Sequence, residues 1–120
     1  MINSKTMGQE TESERARILV VDDNSINLKI IADLIEIMGY DSLMAENGIY
    51  ALSTLEKHEC DLVLLDICMP DMDGYQVLEY MKKDSRLCQI PVIMISALDD
   101  MESVVRCIEN GAEDYMVKPY

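Results

Sequence analysis

The chain has 120 residues, 49% hydrophobic and 28% charged, which suits one domain with a single packed core. A net charge of −13 with no Lys/Arg cluster argues against direct nucleic-acid binding and against docking on an anionic membrane. No apolar run reaches the length of a membrane span and no basic-then-apolar signal opens the chain, so a cytoplasmic protein is expected.

Residues 1–16 are polar, rich in Glu, Ser and Thr, and read as a flexible leader to a domain spanning 17–120. The apolar run Ile18-Leu19-Val20-Val21 then ends in Asp22-Asp23 and predicts a first strand. A helix follows from near Asn24 or Ser25, with Ile30, Ile31, Leu34, Ile35 and Met38 at three- and four-residue steps and Gly39 as its stop. Tyr40 to Ala45 is a weaker strand. Asn47-Gly48 opens a second helix with Ala51, Leu52 and Leu55 inward.

Asp61-Leu62-Val63-Leu64-Leu65 is the next strand, and it stops at Asp66. Asp73, with Gln76 three residues later, caps a third helix whose buried stripe is Val77, Leu78 and Met81. Pro91-Val92-Ile93-Met94-Ile95 runs into Ser96. Asp99 and Glu102 form a capping-box pattern opening a fourth helix, with Val104, Val105 and Ile108 inward as core and Gly111 ending it. Asp114 to Val117 makes the last strand and delivers Lys118-Pro119. Alternation of this kind predicts an α/β fold with parallel strands, right-handed crossovers and helices on both faces.

A carboxylate that ends a wholly apolar strand is costly to place, because the strand around it is built for burial. Asp22, Asp23, Asp66, Ser96 and Lys118 all follow such runs, and functional groups in sheets of this kind gather at the carboxyl ends of the strands. Carboxylates at close range repel and call for a cation; an all-oxygen set suits Mg²⁺. Cys60, Cys68, Cys88 and Cys107 lack C-x-x-C spacing and cannot build a zinc set with the lone His58, so they read as core or surface thiols. Mg²⁺ beside a carboxylate suggests phosphoryl chemistry. Asp66 would be the nucleophile, with Lys118 neutralising phosphoryl oxygens and Ser96 donating a hydrogen bond. Taken singly, each residue has a plainer role: Asp22-Asp23 as a helix cap, Asp66 or Ser96 in a turn, Lys118 as a surface amine, Tyr115 as half-buried packing.

From about Arg17 to Tyr120 the sequence resembles a response-regulator receiver domain of two-component signalling, chemotaxis regulators among them. The resemblance rests on Asp22-Asp23, Asp66, the D-x-x-M-P-x-M-D-G stretch from Asp66 to Gly74, Ser96-Ala97 and Lys118-Pro119, in that order. It implies a doubly wound, flavodoxin-like five-stranded sheet of order 2-1-3-4-5, an order carried over from the family. It also implies that Asp23, Asp66 and the Cys68 backbone carbonyl ligate Mg²⁺, with Mn²⁺ able to substitute, while Asp22 acts mainly through water. Asp66 is then charged by a histidine kinase or phosphotransfer protein. Ser96 and Tyr115 move in response, the Lys118-Pro119 peptide is cis, and the fourth helix and fifth strand switch as the surface for an output domain or partner.

Two other readings are set beside this one. Asp71-Met72-Asp73-Gly74 fails as a calcium loop, since Met69 and Tyr80 stand where acids are needed. The same letters resemble the opening of Mg²⁺-dependent small-molecule phosphatases that use an aspartyl phosphate, although Met69-Pro70 separates them from the strand. A receiver-like interaction module that never gains phosphate is the other, and the intact acid set argues against it. Cys68 occupies a position where the side chain influences water access to the phosphoryl group. Receivers carry a fifth helix beside the first one, and here Tyr120 is the last residue; a fragment or variant whose bare apolar flank drives homodimerisation or helix exchange is expected. Asn24-Ser25-Ile26-Asn27 resembles receivers joined to hybrid kinases or signalling enzymes.

Overall fold

Apolar runs and amphipathic stretches alternate along the chain, and they become strands and helices in the same order. A computed structural model describes residues 15–97 and 101–118. The elements are β1 (Arg17–Val21), α1 (Ser25–Ile37), β2 (Asp41–Ala45), α2 (Gly48–Lys57), β3 (Leu62–Asp66), α3 (Gly74–Lys83), β4 (Val92–Ser96), α4 (Met101–Glu109) and β5 (Asp114–Val117). Most of the leader, Asp99 of the predicted capping box and the Lys118-Pro119 peptide lie outside the described residues.

All five strands are parallel, in the order β2-β1-β3-β4-β5. This is the doubly wound arrangement that the resemblance implied. The pleat sends Leu19, Val21, Val63, Leu65, Val92 and Met94 to one face, where α2, α3 and Cys107 of α4 cover them. Ile18, Val20, Leu62 and Leu64 face the other way and pack on Leu28, Ile31 and Ile35 of α1. Burial on both faces explains why the central strands read as unbroken apolar runs.

Local chemistry sets the helix ends. Asn24 Oδ1 accepts the backbone N–H groups of Ile26 and Asn27 at 2.9 and 3.0 Å, and so starts α1. Asp73 and Gln76 bond each other's backbone reciprocally at the start of α3, as their spacing predicted. Gly39 and Gly111 adopt φ of +97° and +104°, the left-handed turn that stops α1 and α4. Gly74 is required for a different reason. A Cβ there would overlap the carbonyl oxygen of Asp66 and stand 2.8 Å from Ile67 Cα, so only glycine lets α3 begin this close to the end of β3.

One expectation needs correction. On α4, Val105 and Ile108 are 42% and 46% exposed and Val104 is only half-buried, while Cys107 is fully buried. The buried face is centred on Cys107, about 60° around the helix from Val104 at 100° per residue, and this turns Val105 and Ile108 outward. The stripe is therefore a surface, not core. Ile30 and Leu34 of α1, and Met38 just past its end, are half-exposed or more. Leu34 and Met38 edge an open trough of about 400 Å³ whose lining, including Ile31, Leu62, Leu64 and Met116, is wholly apolar. Among the described residues no helix follows β5 to cover it.

Gly74→Ala is expected to lower stability by about 1–3 kcal/mol, because backbone must shift to admit the methyl group. Ile108→Ser should change it by less than about 0.5 kcal/mol. Urea unfolding of the two variants measures both; equal losses would contradict this placement of the α3 start and of the α4 outer face.

Candidate functional site

Strand register assembles the site. Val21 pairs with Leu65, so the next residues along β1 and β3, Asp22 and Asp66, stand side by side. Asp66 pairs with Ile95 and Ser96 with Val117, which brings Ser96 and Lys118 to the same end of the sheet. The Lys118 backbone N–H donates to the Ser96 carbonyl at 2.8 Å and fixes where the lysine leaves β5.

Asp22 and Asp66 are 1% and 3% exposed, whereas Asp23 is exposed at the mouth. Carboxylate oxygens of the three lie within 4.8 Å of one another. Lys118 Nζ donates to Asp22 Oδ2 at 3.0 Å and to Asp66 Oδ2 at 3.3 Å, one ammonium serving two buried acids. Two like charges at that separation repel by about 3–4 kcal/mol at an effective dielectric constant of 20. A single lysine leaves the group with excess negative charge. The donors are all oxygens, among the described residues no imidazole or thiolate joins them, and the set fits a hard divalent cation such as Mg²⁺.

The same crowding shifts the ionisation of the site. Burial pushes the Asp66 carboxyl up to about 6; the Asp22 charge adds to this, and Lys118 and the Cys68 N–H offset only part of it. For Lys118, burial pulls the ammonium down, but its hydrogen bond to Asp22 and the charges of both acids outweigh that and hold it above its usual value.

Of the residues singled out in the sequence, Asp22, Asp23, Asp66 and Lys118 form one cluster, with Ser96, fully buried, at the end of the adjoining strand. Cys68 is exposed in the loop after β3, and its backbone N–H donates to Asp66 Oδ1 at 3.3 Å; its carbonyl, the expected ligand, belongs to the same loop. Tyr115 is half-buried on β5 and packs against the larger core cluster. Asp71 and Asp73 stand outside the acid cluster, and Asp73 is occupied in capping α3, which removes the basis of the phosphatase-like reading. The sequence reading missed Asn27, whose Nδ2 donates to Asp22 Oδ2 at 3.4 Å. Its position one turn into α1, five residues after Asp22, was the available signal.

Asp66 holds its proton more tightly in the folded chain than its ordinary value of 3.8 allows. Its contribution to stability is therefore full below that value and is lost as pH rises through about 6. Without divalent cations, Asp66→Asn is expected to be more stable than wild type by about 1–2 kcal/mol near neutral pH, allowing for solvent screening at the mouth. The two should converge near pH 4, roughly the unfolded-state value. Urea unfolding across that pH range checks this, and a pH-independent gap would contradict it.

A family model described as the response regulator receiver domain matches residues 18–120. The polar-differentiation response regulator DivK of Brucella anthropi is 37% identical over 102 residues, covering 85% of this chain and 83% of that protein. The probable transcriptional regulator ycf27 of Porphyridium aerugineum is 38% identical over 107 residues, 89% of this chain; the chain spans only 43% of that relative. Among solved structures, the chemotaxis protein CheY4 of Vibrio cholerae superposes with a TM-score of 0.84 at 25% identity, covering 88% of each chain. The receiver domain of a signal transduction histidine kinase from Syntrophus aciditrophicus gives 0.80 at 35% identity, covering 88% of this chain and 80% of the other. A sheet order, an acid cluster and a sequence that agree this far with one family lead to one conclusion: the chain belongs to the response regulator receiver domains of two-component signalling.

Proposed function

We propose that this receiver is a working phosphoacceptor, in which Asp66 takes a phosphoryl group from a phosphohistidine on a histidine kinase or phosphotransfer protein. The observation that carries this reading is the site's own charge balance. One buried carboxylate ends the central strand, with an ammonium at 3.3 Å and two further acids within 4.8 Å of it. In the transfer, an Asp66 oxygen attacks phosphorus, the new P–O bond forming as the N–P bond breaks. The electron pair of the N–P bond stays on the donor's nitrogen, and a protonated phosphohistidine leaves as neutral imidazole. Mg²⁺ or Mn²⁺, held by Asp23, Asp66 and the Cys68 carbonyl, would supply positive charge to the phosphoryl oxygens; Asp22 would act mainly through water.

Lys118 stays protonated at neutral pH, so it can move from the carboxylates to a phosphoryl oxygen without losing its charge. Ser96 would offer its hydroxyl from the end of β4, with Tyr115 turning inward behind it. The surface read by an output domain or partner would be α4 and β5, where Val105, Ile108, Met116 and Val117 are 42–46% exposed. A cytoplasmic location belongs to the same reading and suits four free cysteines.

Incubation with a small phosphodonor and Mg²⁺, followed by intact-mass spectrometry, tests the proposal. One added phosphate is expected in wild type, absent without Mg²⁺ and absent in Asp66→Asn. An adduct that persists in Asp66→Asn would place the acceptor elsewhere, and no adduct in a folded wild type would leave an interaction module.

A further inference from the structure

Asp22 is engaged on both carboxylate oxygens. Oδ1 accepts the Asn24 backbone N–H at 2.9 Å, while Oδ2 accepts Lys118 Nζ at 3.0 Å and Asn27 Nδ2 at 3.4 Å. The two side-chain donors differ in what else they must do. Lys118 is shared with Asp66 at 3.3 Å and, in the proposed transfer, turns toward the incoming phosphoryl group. Asn27 is tied to the start of α1, where its own backbone N–H donates to Asn24 Oδ1 at 3.0 Å.

The two donors also differ in charge. An ammonium that holds Asp22 cancels the negative charge a cation needs, whereas a neutral amide orients the carboxylate and leaves its charge intact. We propose that Asn27 is a positioning residue for the Asp22 carboxylate, keeping it aimed at the cation site without cancelling its charge. This inference rests on the Mg²⁺-dependent reading above. Asn27 touches neither phosphoryl group nor metal; it acts through Asp22.

The test is a Mg²⁺ titration of the unphosphorylated chain followed by amide NMR shifts, in wild type, Asn27→Leu and Asn47→Ala. Asn47 caps α2 by accepting the Tyr50 N–H at 2.7 Å, so its removal loosens a helix start without touching Asp22. Asn27→Leu should raise the Mg²⁺ Kd by about two- to fivefold, less than the roughly tenfold loss for a group that orients a direct metal ligand, because Asp22 reaches the ion through water. Asn47→Ala should keep the wild-type value. Should the leucine variant fail to fold, Asn27→Ala reads the same bond. A wild-type Kd in the folded Asn27 variant, or an equal loss in Asn47→Ala, overturns the inference and leaves the phosphoacceptor reading standing. A wild type that binds no Mg²⁺ overturns both.

Discussion

Two carboxylates almost excluded from solvent share one lysine ammonium, and the rest of the molecule is arranged around that arrangement's cost. Asp22 and Asp66 sit at 1% and 3% exposure with Lys118 at 3.0 and 3.3 Å. Removing the lysine from such a set would leave two buried acids without compensation, which is far more damaging than the net worth of the set. The acids can be held there only because three strands from distant parts of the sequence end in register and bring donors with them. Asn24 and Cys68 contribute backbone N–H groups, Asn27 an amide, and Lys118 its charge.

Of the glycine positions described, the one with least room for a side chain, Gly74, follows the loop leaving β3. Gly74 brings α3 against the Asp66 carbonyl, and its own N–H donates to the Ile67 carbonyl at 2.8 Å. Asp71 adopts φ +69°, a conformation that a short polar side chain tolerates better than a branched one. The Asp66 carboxylate is thus mounted on a backbone with little room to relax at Gly74. Under the proposed function, a cation, a proton or a phosphoryl group would change the charge of this closely packed site, and the response would appear in softer elements nearby.

α4 is such an element. Cys107 is its buried residue among those described, and Arg106 lies over the Tyr75 ring of α3 at 3.7 Å. A helix with one small buried side chain among those described is cheaper to displace than α3, which buries Val77, Leu78 and Met81. Its exposed Val105 and Ile108 belong to a surface and not to a badly covered core. The apolar trough beside α1 has a different origin, since only one helix covers that face of the sheet among the described residues.

Much of this was legible before any coordinates, and the reason is locality. Apolar runs for β1, β3 and β4, the Asn24 and Asp73 caps, and the Gly39 and Gly111 stops depend on periodicity or on bonds spanning a few residues. The strand-end acids and lysine were legible too, because a charge that ends a buried strand contradicts its surroundings. Two things were decided by tertiary structure alone: the pairing of Val21 with Leu65 that sets Asp22 beside Asp66, and the rotation of α4 onto Cys107. Each depends on how segments far apart in the chain dock, and neither strand register nor helix rotation is written in the spacing of any one segment.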